Sequence, residues 1–144
     1  MAGVTRSRPS EPIVYLDFSE IRDGGLEPLK EAIRRLIDAI EPQERQLVTY
    51  GFHLNERERV MTVTAVHPDN ASLELHMEIG RDEFRKVGEF ITLKQIHVYG
   101  HISERARDML QQKAKMLGGA ALIVSERFAG FDNLPPARDQ GQDS

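Results

Sequence analysis

Apolar and polar residues alternate along residues 12–18, with Val14, Leu16 and Phe18 on one side and Ile13, Tyr15 and Asp17 on the other. A period of two marks a strand with two distinct faces. After Gly24-Gly25 the period changes. Leu26, Leu29, Ala32, Ile33, Leu36, Ile37 and Ile40 recur at spacings of one, three and four, with Glu31, Arg34, Arg35 and Asp38 between them. That stripe predicts an amphipathic helix over residues 26–40. Pro28 fits within its first turn and Pro42 follows its end. Residues 46–54 and 59–66 are rich in β-branched and aromatic side chains and flank a charged stretch from Asn55 to Glu58. They read as an antiparallel hairpin with a solvated tip.

His67-Pro68 ends the hairpin, and Asp69 or Asn70 can cap a following helix. Ser72, Leu75, His76 and Ile79 share one face of that helix. Gly80 interrupts it, and Phe84, Val87 and Phe90 resume the pattern. Two short helices, or one kinked helix, are predicted over residues 70–89. Residues 92–100 form a fourth strand, in which Ile96 and Val98 alternate with Gln95, His97 and Tyr99. Ser103 caps a third helix with an apolar stripe of Ala106, Met109, Leu110, Ala114 and Leu117, and Gly118-Gly119 stops it. Residues 121–128 close the domain as a fifth strand. The order is βαββαβ followed by αβ, an α+β class with a ferredoxin-like core and an added C-terminal helix and strand. Strands separated by a helix are expected to run parallel. The helices cover one face of the sheet. The other face keeps Tyr, Val, Thr and His side chains and asks for a partner, most economically a second copy of the chain.

The 144 residues fit one domain, predicted over residues 12–131 between a flexible arm (1–11) and a disordered tail (132–144). The formal net charge is −4, with 29% charged residues mixed in sign and no basic block, so a nucleic-acid surface is not expected. The longest apolar run, Ala120 to Val124, is far short of a membrane span. Residues 1–11 lack the apolar segment of a secretory signal. Cysteine is absent, which removes disulfides, thiolate metal sites and cysteine nucleophiles. A cytoplasmic location is expected.

His76 is the first candidate for chemistry, because an imidazole facing the space between sheet and helix can act as a base or bind iron. The simpler reading is a half-buried histidine held by one hydrogen bond. His97 and Tyr99 on the fourth strand, with Tyr50 and His53 on the second, could hold a phenolic or carboxylate ligand. Their simpler reading is a dimer interface, where Tyr and His tolerate mixed surroundings. His97-x-x-x-His101 aligns two imidazoles only on a helix, so no metal site is expected. Asp17 is the only carboxylate within the first strand's alternating stretch. Buried, it would be a base with a raised pKa; at a strand end it would be solvated, and solvation is the expectation. The paired glycines lack the spacing of a phosphate loop, and no serine sits in a strand-to-helix elbow.

The order of elements, the segment His67-Pro68-Asp69-Asn70-Ala71-Ser72-Leu73-Glu74-Leu75-His76 and the run from Phe84 to Gly100 resemble the dimeric α+β barrel proteins, in particular the antibiotic-biosynthesis-monooxygenase-like domains. The likeness covers residues 12–128. It implies a homodimer with a small-molecule pocket between sheet and helices, and a choice among cofactor-independent oxidation, other chemistries and no activity at all. The specific expectation is cofactor-independent oxidation of an aromatic substrate, with His76 as base, Tyr50 or Tyr99 as substrate holder, and a cavity beside His76. The alternatives are a non-enzymatic interaction domain and a haem-binding protein. The haem-degrading members of that group carry a tryptophan, which this chain lacks.

Overall fold

The computed structural model describes residues 11–134. The predicted arm and tail therefore lie almost wholly outside the described residues. Five strands and three helices follow one another: β1 (Ile13–Ile21), α1 (Leu26–Ile40), β2 (Thr49–Asn55), β3 (Val60–His67), α2 (Asn70–Gly88), β4 (Ile91–Tyr99), α3 (Glu104–Met116) and β5 (Ala121–Ser125). They form one sheet in the order β2-β3-β1-β4-β5. The first four strands are the ferredoxin-like βαββαβ core. Strands joined through a helix do share a direction. In that core, however, an antiparallel neighbour lies between each such pair, so among the described residues β4 and β5 are the only adjacent parallel strands.

The alternation in β1 sets the two faces of the sheet. Ile13, Tyr15, Asp17, Ser19 and Ile21 are buried under the helices, while Val14, Leu16 and Phe18 are half-buried on the opposite face. β3 repeats the pattern with Met61, Val63, Ala65 and His67 inward. In β4, Phe18 pairs with Gln95 and Ser19 with Leu93, so Lys94 is an extra residue bulging from the ladder. The bulge returns Leu93, like Ile96 and Val98, to the helix side. α1 buries Leu29, Leu36 and Ile40 against this layer. Truncating the fully buried Leu36 to alanine costs roughly 2–5 kcal/mol by the usual scale of such cavities.

α2 is a single helix across Gly80, not two. A Cβ on Gly80 would lie 2.3 Å from Cζ of Phe84, one turn on, so the glycine is a notch that receives the Phe84 ring. The helix tolerates it because an interior glycine costs only about 1 kcal/mol against alanine. Asp69 caps α2 by accepting from the Ser72 amide at 2.9 Å, and Ser103 caps α3 by accepting from Ala106 at 3.0 Å. The N-termini of α2 and α3 are tied together. The Ser103 amide donates to Asn70 at 2.8 Å, and Arg105 bridges Glu74 and Glu78. Both helices run against β4, so they lie side by side in the same direction. Gly118 and Gly119 both have positive φ and end α3 as the glycine pair requires. No helix among the described residues is long and apolar enough to cross a membrane.

Candidate active site

Beneath α2 and α3 the helix-facing side of the sheet carries an unusual number of ionisable groups. Tyr15 and Asp17 lie two residues apart on β1 and so point the same way. The Tyr15 hydroxyl donates to Asp17 Oδ2 at 2.5 Å. Lys113 comes down from α3, donates to the Tyr15 hydroxyl at 2.8 Å and lies 3.5 Å from Asp17 Oδ2. Its ammonium also sits 4.4 Å from the centre of the Phe84 ring. All three polar residues are buried. Burial pushes the Asp17 carboxyl up against the pull of Lys113, and burial pushes the Lys113 amine down. Tyr15 is held well above the usual phenol range by burial and by Asp17. The expectation that Asp17 is solvated is thus overturned. β1 runs on to Ile21, so Asp17 sits mid-strand between two neighbours, and Lys113 compensates its charge.

A second cluster lies beside the first. His76 does point into the space between sheet and helix. Its Nδ1 is 2.8 and 3.0 Å from the two oxygens of Glu44, a buried residue that follows the single 3-10 turn after α1. The His76 ring is enclosed by Tyr50 at 4.7 Å, Phe84 at 5.2 Å and His67 at 5.3 Å between centroids. Burial raises Glu44 to about 7 and lowers His76 to about 3, the latter with help from Lys113. Both shifts favour a protonated Glu44 donating to an unprotonated Nδ1. His67 is lowered to about 3, chiefly by burial, and its Nδ1 lies 2.8 Å from the Ser72 hydroxyl.

Two cavities meet at this interior. A cleft of ≈ 600 Å³ opens between α2 and α3, lined by Met77, Phe84, Met109, Lys113 and Met116 among others. An inner void of ≈ 20 Å³ lies against the sheet, lined by Asp17, Tyr50, Phe84 and Lys113 together with aliphatic core residues. Phe84 and Lys113 line both and form the partition between them. Asp17 Oδ1 is buried with no hydrogen-bond partner. A carboxylate oxygen left bare in a low-dielectric interior costs on the order of 1–3 kcal/mol, so it is a point where a polar atom is wanted. The void has room for about one water molecule.

The sequence candidates divide between the two faces of the sheet. Tyr50 and His76 are together on the helix side, and Tyr50 borders the inner void. His53, His97 and Tyr99 lie on the helix-free face. There His53 contacts Thr64 at 3.0 Å, His97 contacts Gln95 at 2.9 Å, and Tyr99 stacks on His97 at 6.3 Å. They cannot share one ligand with His76 across the sheet. His101 pairs with Glu126 at 2.6 Å, away from His97. Among the described residues no cluster of three or more His, Asp or Glu converges as metal ligands. His76 borders neither cavity, and its ring is packed among Tyr50, Phe84 and His67. Sequence reasoning missed Lys113 and Glu44. Lys113 was findable, because it falls between Leu110 and Leu117 on the buried stripe of α3. Glu44 follows a short turn and carries no periodic signal.

No family model matches the chain, and no curated protein matches it in sequence. Solved structures do match in shape. MupZ from Pseudomonas fluorescens aligns with a TM-score of 0.64 and 17% identity over 86% of this chain and 96% of its own. A conserved protein from Methanosarcina mazei Go1 aligns at 0.55 and 16% identity over 63% and 93%. A Caulobacter crescentus CB15 protein, described as a candidate antibiotic biosynthesis monooxygenase, aligns at 0.55 and 12% over 62% and 89%. At these identities the likeness is one of fold. The chain therefore has the α+β fold of the antibiotic-biosynthesis-monooxygenase-like structures, with α3 and β5 following its ferredoxin-like core.

Proposed function

We propose that the protein is a homodimeric enzyme that oxidises a small phenolic aromatic molecule without a bound cofactor, by proton transfer at the Tyr15–Asp17–Lys113 cluster. One observation carries this reading: the buried Asp17 Oδ1 has no hydrogen-bond partner, and Asp17 lines a void that shares Phe84 and Lys113 with the apolar cleft. A phenol entering from the cleft would place its ring among Met77, Met109 and Phe84. Its hydroxyl would reach the void by displacing Phe84. Asp17 Oδ1 takes the phenolic proton, and Lys113 balances the phenolate formed. Tyr50, held well above the usual phenol range by burial, stays a neutral donor to the same oxygen. The anion is electron-rich enough to react with dioxygen. Phenol plus one dioxygen gives quinone plus one water, so the substrate supplies all four electrons and no bound reductant is required. In this reading the base is Asp17, and His76 supports Tyr50 and Phe84 from behind.

The test is oxygen uptake by the full chain over a panel of naphthols and hydroxyanthracenes. Asp17→Asn and Lys113→Met are expected to lower turnover by about 100-fold, while Tyr99→Phe on the other face leaves it unchanged. Absence of uptake across the panel, or uptake indifferent to a folded Asp17→Asn variant, removes the oxidative reading.

A further inference from the structure

The cleft between α2 and α3 is unevenly charged in a protein whose formal net charge is −4. Four ionisable side chains line it: Glu78, Arg81, Lys113 and Lys115. Glu78 is taken by Arg105 at the N-terminal end of the cleft, and Lys113 is taken by Asp17 and Tyr15 at its floor. Arg81, on α2, and Lys115, on α3, are exposed and have no ion-pair partner among the described residues. The remaining walls are Met77, Met109, Met116 and Phe84, with Gln112 the only neutral polar group. Methionine walls are polarisable and adapt to flat or irregular apolar bodies. The volume of ≈ 600 Å³ suits a molecule of drug-like size.

We infer that the cleft selects an amphipathic anion: a substrate whose apolar body packs on the methionines and Phe84 and whose carboxylate sits at the mouth between Arg81 and Lys115. A neutral phenol would use only the floor and walls. A hydroxylated aromatic acid uses all three zones, with its carboxylate outward and its hydroxyl inward. Arg81 offers a planar pair of donors that matches a carboxylate, and Lys115 offers a second positive charge from the facing helix. The two cations come from different helices, so the anion also ties α2 to α3 beyond their shared N-terminal contacts. This inference rests on the cleft being the substrate site, as the proposed function has it.

Calorimetric titration of the full chain with a hydroxynaphthoate and with its methyl ester separates charge from shape. The acid is expected to bind about tenfold more tightly than the ester at low salt, and the advantage shrinks as salt screens the mouth. Arg81→Gln with Lys115→Gln is expected to erase the preference and leave ester affinity unchanged. Both positions are exposed, so the variant folds. Asp17→Asn is expected to keep the preference while losing oxygen uptake. Equal affinity for acid and ester, or a preference that survives the double substitution, overturns the inference. Charge-dependent binding with no oxygen uptake leaves this inference standing and removes the oxidative reading. Turnover of neutral naphthols as fast as of the acid does the reverse.

Discussion

At the scale of single residues, the interior turns on two carboxyls that burial has made weak acids. Glu44 is raised from 4.5 to about 7, whereas His76 is lowered from 6.5 to about 3. A carboxyl with a raised folded-state pKa favours the fold fully below its unfolded value and loses that contribution as pH climbs through the folded value. The lowered histidine acts in the opposite sense, favouring the fold above 6.5 and losing that contribution as pH falls toward 3. The unfolded-state titration of His76, and of His67 which is also lowered to about 3, falls around 6.5 and opposes that of Glu44, so the Glu44 contribution is read as a difference between two proteins. Relative to Glu44→Gln, whose amide still reaches His76, wild-type protein is therefore expected to lose thermal stability as pH rises from 4.5 through about 7. Equal slopes in thermal melts of the two proteins would show that Glu44 does not titrate there. The same titration moves a proton within the pair. Below the midpoint Glu44 donates to Nδ1; above it the carboxylate accepts from Nδ1–H, so His76 changes tautomer without gaining charge.

At the scale of elements, α2 shows how one residue shapes a site. Gly80 exists in a helix because Phe84 occupies its Cβ position, and Phe84 is the partition between cleft and void. Gly80→Ala gains helix propensity of up to about 1 kcal/mol. It also pushes the ring from its contacts with Lys113 and His76, and overpacking of that kind costs roughly 1–3 kcal/mol. The melting temperature is expected to fall, and the smaller side chain in a Gly80→Ala, Phe84→Leu double variant to restore it. A single variant more stable than wild type would contradict the notch. The same helix shows what the sequence could and could not convey. Periodicity alone places α1 over Leu26–Ile40, since its stripe is local, and Ser103 is legible as a cap, with Asp69 one of two candidates beside Asn70, because a cap needs only its own turn. Gly80 reads as a break because its reason is a ring four residues on, a contact no propensity records. Asp17 reads as solvated because its compensation is Lys113, brought from α3 by the whole fold; Tyr15 and Lys113 are 98 residues apart. His76 is legible as inward-facing, but Glu44 is not legible as its partner, since a residue after a short turn has no face.

At the scale of the whole molecule, the helix-free side of the sheet has no covering layer among the described residues. Val14, Leu16, Phe18 and Val66 are half-buried there, and Tyr99 and Ile123 remain 42% and 40% exposed. Thr62, Thr64, His53 and His97 complete a face with no lysine, arginine or carboxylate at its centre, so a second sheet can approach without desolvating a full charge. A stable dimer needs roughly 1,200–2,000 Å² of buried surface, and a five-stranded sheet face can supply it. The helix-side cluster is built entirely from one chain and lies behind that face. Dimerisation and the candidate site are therefore separable. Sedimentation of wild-type protein is expected to give a dimer, and Leu16→Lys, which places a charge at the centre of the face but outside the core, a folded monomer. That monomer is expected to keep hydroxynaphthoate affinity within about twofold of wild type, because Asp17, Phe84, Lys113 and the methionine walls are untouched. A wild-type monomer would end the dimer reading. A folded Leu16→Lys monomer that had lost its ligand would show instead that the partner copy holds the site in shape through β1, the strand that carries Leu16 on one face and Asp17 on the other.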